Sequence, residues 1–151
     1  MHTAISKDKI DLSSEKQTKE LADKFSKKLK PGNVVFLYGE MGVGKTTFVR
    51  YLINQLQKDN KLEVTEVTSP TFTLLNEYQI HQIKINHYDL FRLKSVEEIK
   101  NLDLFEENIN TVTLVEWPQI IEEKPKNLIE LNFEYGKEHE TRSLQIKGLN
   151  I

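Results

Sequence analysis

Apolar residues recur along this chain with two periods, which predict helices and strands in alternation. A first helix is predicted from Ser14 to about Leu29, and a second begins at about Lys45, because apolar residues in both segments lie three or four positions apart. Short β-branched or alternating runs predict strands at Asn33–Tyr38, Phe72–Ile80, Lys84–Leu90, Thr111–Val115, Leu128–Tyr135 and Arg142–Lys147. This alternation predicts an α/β fold.

Two tight turns predict that part of the sheet is antiparallel. His81-Gln82 joins the second and third of these strands, and a polar turn at Gly136–Glu140 joins the last two. Each pair is expected to form a hairpin, so the central sheet should be mixed. A further strand at His2–Ser6 is expected at an edge of this sheet.

Two helix starts carry the capping-box pattern. Ser14-Glu-Lys-Gln17 precedes the first helix, and Ser95-Val-Glu-Glu98 predicts a short helix through about Leu102 with a further turn to Phe105. In this pattern the serine hydroxyl accepts a hydrogen bond from the third N–H of the helix, and the Glu or Gln side chain accepts one from the serine N–H. Both helices should therefore begin where these serines lie.

The composition predicts one globular domain spanning residues 1–151, long enough to bury roughly 70% of its unfolded surface. The chain has no cysteine, which excludes disulfides, zinc-thiolate sites and thiol catalysis. A formal net charge of −2 argues against nucleic-acid binding driven by the overall electrostatic field. No apolar run approaches the roughly 20 residues that a membrane span needs. We expect a cytoplasmic protein with no membrane partner.

Candidate chemistry begins between the first predicted strand and the second predicted helix. Gly39-Glu-Met-Gly-Val-Gly-Lys-Thr46 matches the phosphate-binding pattern GxxxxGK[ST] at every fixed position. The glycines allow positive φ, and successive backbone N–H groups can surround phosphate oxygens. Lys45 supplies a charge for the β- and γ-phosphates of ATP, and the Thr46 hydroxyl can bind the accompanying Mg²⁺. The alternative is a glycine-rich turn between two core elements. The predicted nucleotide-binding residues are Gly39, Glu40, Met41, Gly42, Val43, Gly44, Lys45, Thr46 and Thr47.

Two acids near the ends of later strands are candidates to face this loop. Asp89 lies on the same side of its predicted strand as His87, and a Mg²⁺-nucleotide site commonly needs a carboxylate to hold the metal's water shell. Glu116 follows the run Thr111–Val115 at a position where aspartate is usual, so the longer side chain is expected to hold Mg²⁺ through water or to orient the attacking water. The predicted catalytic residues are Lys45, Asp89 and Glu116, and the predicted metal ligands are Thr46 and Glu116.

Several neighbouring features have a structural interpretation beside the functional one. His87 is expected to be a hydrogen-bonded structural histidine. The hydroxyl-rich segment Val67–Thr73 either contacts the γ-phosphate or Mg²⁺ as a switch or forms a Ser-Pro turn. Trp117 either stacks on a base or a partner, or has the commoner role of a solitary tryptophan in packing or at an interface. The base pocket is to be sought at Ser14–Thr18 or after Pro118.

Four motifs together resemble the bacterial TsaE (YjeE) ATPases, which serve in tRNA threonylcarbamoyladenosine biosynthesis. The motifs are Gly39-Glu-Met-Gly-Val-Gly-Lys-Thr-Thr47, Ser69-Pro-Thr-Phe72, His87-Tyr-Asp-Leu-Phe-Arg-Leu93 and Glu116-Trp-Pro118. The resemblance implies an α/β fold, a P-loop NTPase-like three-layer sandwich with a mixed central sheet of parallel strands and an antiparallel hairpin. It also implies Mg²⁺-dependent ATP hydrolysis that is weak alone and activated by partners. Those partners would be TsaD and TsaB, which transfer a threonylcarbamoyl group to the adenosine beside the anticodon, with tRNA touched only indirectly.

The same resemblance implies roles for individual residues. Lys45 and Thr46 would bind phosphates and Mg²⁺, and Asp89 lies in the motif implicated in ATP turnover. Glu116 would be the acidic residue of the Mg²⁺ site. Ser69 and Thr71 correspond to a switch-like segment.

One segment departs from the family, and two other functions remain open. The family often has a glycine where this chain reads Asn101-Leu-Asp103, which puts only the local helix boundary in doubt. A small P-loop kinase would need an arginine-bearing lid and an acceptor site, and the sequence reveals neither. A nucleotide-gated adaptor would bind ATP and partners without hydrolysis.

Overall fold

The computed structural model describes residues 9–102, 104–105, 109–138 and 140–151. Within these ranges the chain forms one sheet of seven strands, three α-helices and a 3₁₀ turn at Pro118–Ile120. The strands are β1 Lys9–Asp11, β2 Val34–Tyr38, β3 Leu75–Ile80, β4 Ile83–Asp89, β5 Thr111–Glu116, β6 Leu128–Tyr135 and β7 Arg142–Lys147. The helices are α1 Glu15–Lys28, α2 Lys45–Asp59 and α3 Val96–Lys100.

The sheet has a parallel centre and antiparallel edges. Its strand order is β1-β7-β6-β2-β5-β4-β3, and β6, β2, β5 and β4 run parallel to one another. The hairpins β3–β4 and β6–β7 and the edge strand β1 supply the antiparallel pairs. The predicted mixed sheet with two hairpins is confirmed.

Each face of the sheet is covered by helical structure, which gives three layers. On one face Phe25 of α1 and Phe48 of α2 pack edge to face at 5.4 Å, and Phe48 packs on Phe133 of β6 at 5.9 Å. On the other face, Phe36 of β2 lies in a second cluster with Ile99 of α3. Because both faces of β5 are covered, all six of its residues are buried. The predicted α/β P-loop NTPase-like three-layer fold is confirmed.

The two predicted capping boxes differ in outcome. At Ser14 both reciprocal hydrogen bonds form, since Gln17 N donates to Ser14 Oγ and Ser14 N donates to the Gln17 side chain. At Ser95 only the first bond forms, from Glu98 N to Ser95 Oγ at 3.3 Å. The Glu98 carboxylate accepts instead from Lys94 N, so the second box is half formed.

Two boundaries differ from the sequence prediction by more than one residue, and one strand was not predicted. Residues 71–73 form a turn closed by a hydrogen bond from Leu74 N to Pro70 O, so β3 starts at Leu75. Helix α3 ends at Lys100, because Leu102 N already bonds Ile99 O in a tighter turn. Strand β1 was not predicted, since three residues are too few to show a period. The strand predicted at His2–Ser6 and the doubt at Asp103 lie outside the described residues.

Among the described residues, the helices lack the combination of length and apolar character that a membrane crossing requires.

Candidate nucleotide site

The site lies at the carboxyl edge of the parallel strands. Strand β2 leads into the loop at Gly39, and the parallel register pairs Leu37 of β2 with Glu116 of β5 and Glu116 with Asp89 of β4. Paired residues of parallel strands end at the same edge and point to the same side of the sheet. This register alone therefore brings both acids beside the loop and the first turn of α2.

The loop requires glycine at its first position. Gly39 has φ +147°, and a Cβ there would lie 2.8 Å from Val43 Cγ1 and 2.9 Å from the Phe133 carbonyl oxygen. These contacts are shorter than real Cβ atoms show, so only glycine fits without a shift of β6 or of the loop. The loop ends at Gly44, the N-cap of α2, which has no side-chain cap. The first N–H groups of α2 therefore have no side-chain acceptor and suit an anion.

Lys45 is held inside the site at 4% exposure. Its Nζ donates to the Gly39 carbonyl oxygen at 2.5 Å and lies 3.6 Å from the centre of the Trp117 ring. Burial lowers the pKa of Lys45, and the negative charges of Glu116 and Asp89 partly oppose that shift. The ammonium thus sits in a buried setting beneath an aromatic ring, where it would attract an anion more strongly than in water.

Glu116 connects the helix start to the centre of the sheet. Its carboxylate accepts a hydrogen bond from Thr46 Oγ1, 3.1 Å from both oxygens, and Glu116 Oε2 lies 2.6 Å from His87 Nε2. Glu116 is 2% exposed and His87 is fully buried. His87 is therefore hydrogen-bonded in the interior, as predicted, and its partner is the acid of the site.

Asp89 binds the hydroxyl-rich segment. Its Oδ2 accepts from Thr71 Oγ1 at 3.1 Å and from Ser69 Oγ at 3.5 Å, while its Oδ1 accepts from Phe91 N at 2.9 Å. Residues 71–73 of the segment form a turn, and the Ser69 and Thr71 hydroxyls lie against the acid, so the predicted switch role of Val67–Thr73 stays a prediction. Phe72 at its tip is 83% exposed.

An aromatic pair that sequence reasoning did not foresee closes one side of the site. Trp117 has a left-handed backbone with φ 58°, which turns the chain directly after Glu116. Its ring lies 4.9 Å from the Phe91 ring and covers the Lys45 ammonium. Trp117 packs against residues of the site itself, an arrangement that the sequence signals only through its position after Glu116.

Two neighbouring cavities meet at this loop. The first, about 320 Å³, is lined by Gly44, Lys45, Thr46, Asp89, Glu116 and Trp117 among others. The second, about 270 Å³, lies toward the start of α1 and is lined by Leu12, Ser14, Glu15, Thr18, Val43 and Phe133 among others. Gly44, Thr47 and Arg142 line both. Sequence reasoning did not single out Arg142 as a site residue.

The loop side chains predicted to bind nucleotide are not all alike in position. Met41 is exposed and lines the first cavity, whereas Val43 is buried in the core. The Glu40 side chain is exposed, and its carbonyl oxygen accepts from Val43 N within the loop. The Glu40 side chain therefore points away from the first cavity, and Val43 lies in the core at the edge of the second.

The oxygen donors at the site fit Mg²⁺. Thr46 and Glu116 offer a hydroxyl and a carboxylate side by side, the donor types that Mg²⁺ takes when phosphates supply further oxygens. In the ranges the structure describes, three or more His, Cys, Asp or Glu side chains do not cluster as a metal cage. The donor set thus corresponds to a metal held together with a nucleotide.

A glycine loop, a buried lysine and two acids at the carboxyl edge of the parallel strands of a mixed sheet place the chain among the proteins with a P-loop NTPase fold. The family model described as "Threonylcarbamoyl adenosine biosynthesis protein TsaE" matches residues 12–144. The chain belongs to the TsaE family.

Individual relatives agree with the family model. A TsaE protein of Rickettsia bellii, named tRNA threonylcarbamoyladenosine biosynthesis protein, is 46% identical over 122 residues, which cover 80% of this chain and 82% of that protein. The protein of the same name from Nostoc sp. is 36% identical over 147 residues, 94% of this chain and 86% of that protein. The crystal structure of Bacillus subtilis YdiB superimposes with a TM-score of 0.68 at 26% identity, covering 91% of this chain and 82% of YdiB.

Proposed function

We propose that this protein is a Mg²⁺-dependent ATPase of tRNA threonylcarbamoyladenosine biosynthesis that acts in the cytoplasm with TsaB and TsaD. Membership of the TsaE family assigns the chain to this biosynthesis. Hydrolysis is slow in the chain alone and rises when the partners complete the site. The protein meets tRNA only indirectly, through those partners.

The observation that carries this proposal is the contact between the start of α2 and Glu116. Thr46 Oγ1 lies 3.1 Å from the Glu116 carboxylate, and Lys45 is the preceding residue. A cation, a hydroxyl and a carboxylate thus converge on the uncapped N-terminus of a helix. This arrangement is better explained by the binding of a triphosphate and a divalent metal than by a structural role in the interior.

Each of these residues would have a role that its side-chain chemistry suits. Lys45 would leave the Gly39 carbonyl to bind the β- and γ-phosphates, and Thr46 and Glu116 would hold the Mg²⁺. When bound, Mg²⁺ neutralises the charge of the phosphate oxygens. Asp89, 5% exposed and tied to Thr71, would position water at the γ-phosphate. Catalysis would rest on placement and electrostatics.

The cavities suggest the direction of the nucleotide. Lys45, Asp89 and Glu116 gather around the first cavity, so the γ-phosphate would lie there. The second cavity continues past Thr47 toward Ser14 and Thr18. This is one of the two regions in which the sequence predicts the base pocket. We therefore orient the adenine toward the start of α1.

The test is phosphate release from Mg·ATP by the purified chain, alone and with TsaB and TsaD. We expect slow release alone and a clear rise with both partners. Glu116→Gln should abolish the rise, because a neutral amide cannot replace the carboxylate at the metal. Glu66→Gln, an equal change at an exposed position, should behave as the parent.

The outcomes separate this proposal from its two rivals. Transfer of phosphate to a small acceptor in place of water would indicate a kinase. Full tRNA modification by the Glu116→Gln variant would indicate an adaptor that needs no hydrolysis. Either result would overturn the ATPase assignment while leaving nucleotide binding in place.

A further inference from the structure

Arg142, the first residue of β7, projects into the site from the opposite end of the chain. A Cβ built on Gly44 would lie 3.9 Å from Arg142 Nη1, so the guanidinium lies directly beside the last loop residue. Arg142 also lines both cavities that meet at the loop. The side chain therefore lies where the two cavities adjoin.

The backbone around Arg142 is well anchored. Arg142 N donates to Ser13 Oγ at 3.1 Å, and Arg142 O accepts from Leu12 N at 2.9 Å. In the β6–β7 hairpin Arg142 pairs with Tyr135, whose hydroxyl donates to the Met41 carbonyl oxygen at 3.2 Å. The guanidinium carbon lies 5.6 Å from the centre of the Tyr135 ring. The hairpin thus fixes Arg142 relative to the phosphate loop.

The guanidinium has no anionic partner among the described residues. Its Nε is buried and makes no hydrogen bond, and the ion pairs of the described ranges do not include it. A buried donor without an acceptor is costly, and such groups in native proteins call for an explanation. A phosphate group where the two cavities adjoin would accept the missing hydrogen bond, because the planar guanidinium matches the spacing of phosphate oxygens.

The other two arginines of the chain are engaged elsewhere. Arg92 donates to the Phe72 carbonyl oxygen, and Arg50 lies over the Tyr51 ring at 5.3 Å. Neither is among the residues that line the two cavities. Arg142 is therefore the arginine that the fold offers to a ligand of this site.

We propose that Arg142 is a nucleotide-binding residue outside the phosphate loop, and that its guanidinium binds the α-phosphate. This inference rests on the proposed binding of ATP and adds a contact at the end of the triphosphate nearest the base. Arg142 lines both cavities, whereas Lys45, Asp89 and Glu116 line only the first. We therefore place the guanidinium at the α-phosphate, between the γ-phosphate in the first cavity and the base in the second. The contact would recognise nucleoside di- and triphosphates alike.

The test is calorimetric binding of ATP, ADP and adenosine to the parent chain and to Arg142→Gln. Losing a charge-assisted hydrogen bond should raise Kd about 10-fold or more for ATP and ADP to the same degree. The Kd of adenosine should not change, since it carries no phosphate. Arg50→Gln, the same substitution on α2 outside both cavities, should bind all three ligands as the parent does.

Other outcomes would overturn the inference in distinguishable ways. If Arg142→Gln bound ATP and ADP as tightly as the parent, Arg142 would have no role in binding, while the proposed ATPase would stand. If only ATP were weakened, the contact would be to the γ-phosphate and the α-phosphate assignment would be wrong. A parent chain that bound neither nucleotide would overturn the proposed function as well. Should Arg142→Gln fail to fold, Arg142→Met, which keeps an apolar stem against Tyr135, carries the same expectations.

Discussion

His87 Nε2 lies 2.6 Å from Glu116 Oε2, and this hydrogen bond is buried beneath the site. The His87 Nδ1 has no hydrogen-bond partner within the described residues. Because an ionised carboxylate can only accept hydrogen bonds, the Nε2–H of His87 is the donor to Glu116. His87 thereby fixes the side chain that also receives the Thr46 hydroxyl.

Replacing His87 with leucine should therefore loosen Glu116. We expect a loss of about 1.5–3 kcal/mol in the free energy of unfolding, because a buried carboxylate loses a donor. Urea unfolding measures this loss. Mg·ATP binding should weaken, while ATP binding in excess EDTA should stay near the parent value. His81→Asn is the control at an exposed hairpin position: it removes the contact of His81 Nε2 with Asn60 O, so it should lower stability by about 0.5–1.5 kcal/mol and leave Mg·ATP binding unchanged. Parent-like Mg·ATP affinity in His87→Leu would show that Glu116 needs no such support.

Lys45→Ala tests the charge at the loop. Removal of the ammonium should cost about 1.5–3 kcal/mol of nucleotide binding, roughly a 10- to 150-fold rise in Kd. Isothermal titration with Mg·ATP measures the change. Lys58→Ala, at an exposed position in the last turn of the same helix, should leave Kd unchanged. Equal affinities for the two variants would remove Lys45 from the phosphate site.

The buried position of Lys45 also predicts an alkaline effect on stability. Burial lowers the pKa of Lys45 below its ordinary 10.5, so between the lowered value and 10.5 the unfolded chain binds more protons than the folded chain. The free energy of unfolding should rise with pH in that window relative to Lys45→Met, which lacks the group. Urea titrations from about pH 7 to about pH 10.5 measure this difference. A parent free energy of unfolding that falls with pH in this window relative to Lys45→Met would contradict the lowered pKa of Lys45.

Trp117 should report nucleotide binding directly. It is the only tryptophan in the chain, and its ring lies 3.6 Å from Lys45 Nζ. Phosphates that draw the ammonium away remove this cation from the ring, so the emission of Trp117 should change when Mg·ATP is added. Adenosine should leave the emission unchanged. A spectrum that responds equally to both ligands would mean that Lys45 does not move.

Comparing Gly39→Ala with Gly32→Ala separates the stability lost to backbone strain from the stability lost to steric crowding. The new Cβ would meet Val43 and the Phe133 carbonyl at under 3.0 Å, whereas alanine at Gly32, also at positive φ, meets only Asn127 Nδ2 at 4.0 Å. Both variants lose about 1–3 kcal/mol to backbone strain, and Gly39→Ala should lose more. Thermal unfolding measures both. If Gly32→Ala were the less stable variant, the contact of the loop with β6 would be looser than described.

Much of this site could be predicted because local patterns encode it. The spacing of Gly39, Gly44 and Lys45 predicts the loop, and the apolar run before Glu116 predicts a buried strand that ends at an acid. The register of Asp89 with Glu116 then follows from the topology of parallel strands.

Other parts depend on tertiary contacts that no local pattern encodes. The left-handed backbone of Trp117 lays its ring on Lys45, and nothing in Glu116-Trp-Pro118 specifies that turn. Arg142 reaches Gly44 only because β7 folds back along β6. His87 was predicted to be structural because a buried histidine usually is, but its partner became evident only with the register.

The most direct test of the proposed nucleotide site is a crystal structure of the chain with Mg²⁺ and a non-hydrolysable ATP analogue. We expect phosphate oxygens about 2.7–3.2 Å from N–H groups of residues 39–47 and from Lys45 Nζ. We expect the metal about 2.1 Å from Thr46 Oγ1, with Glu116 beside it. An analogue bound away from the loop, or a metal distant from both Thr46 and Glu116, would show that the site lies elsewhere.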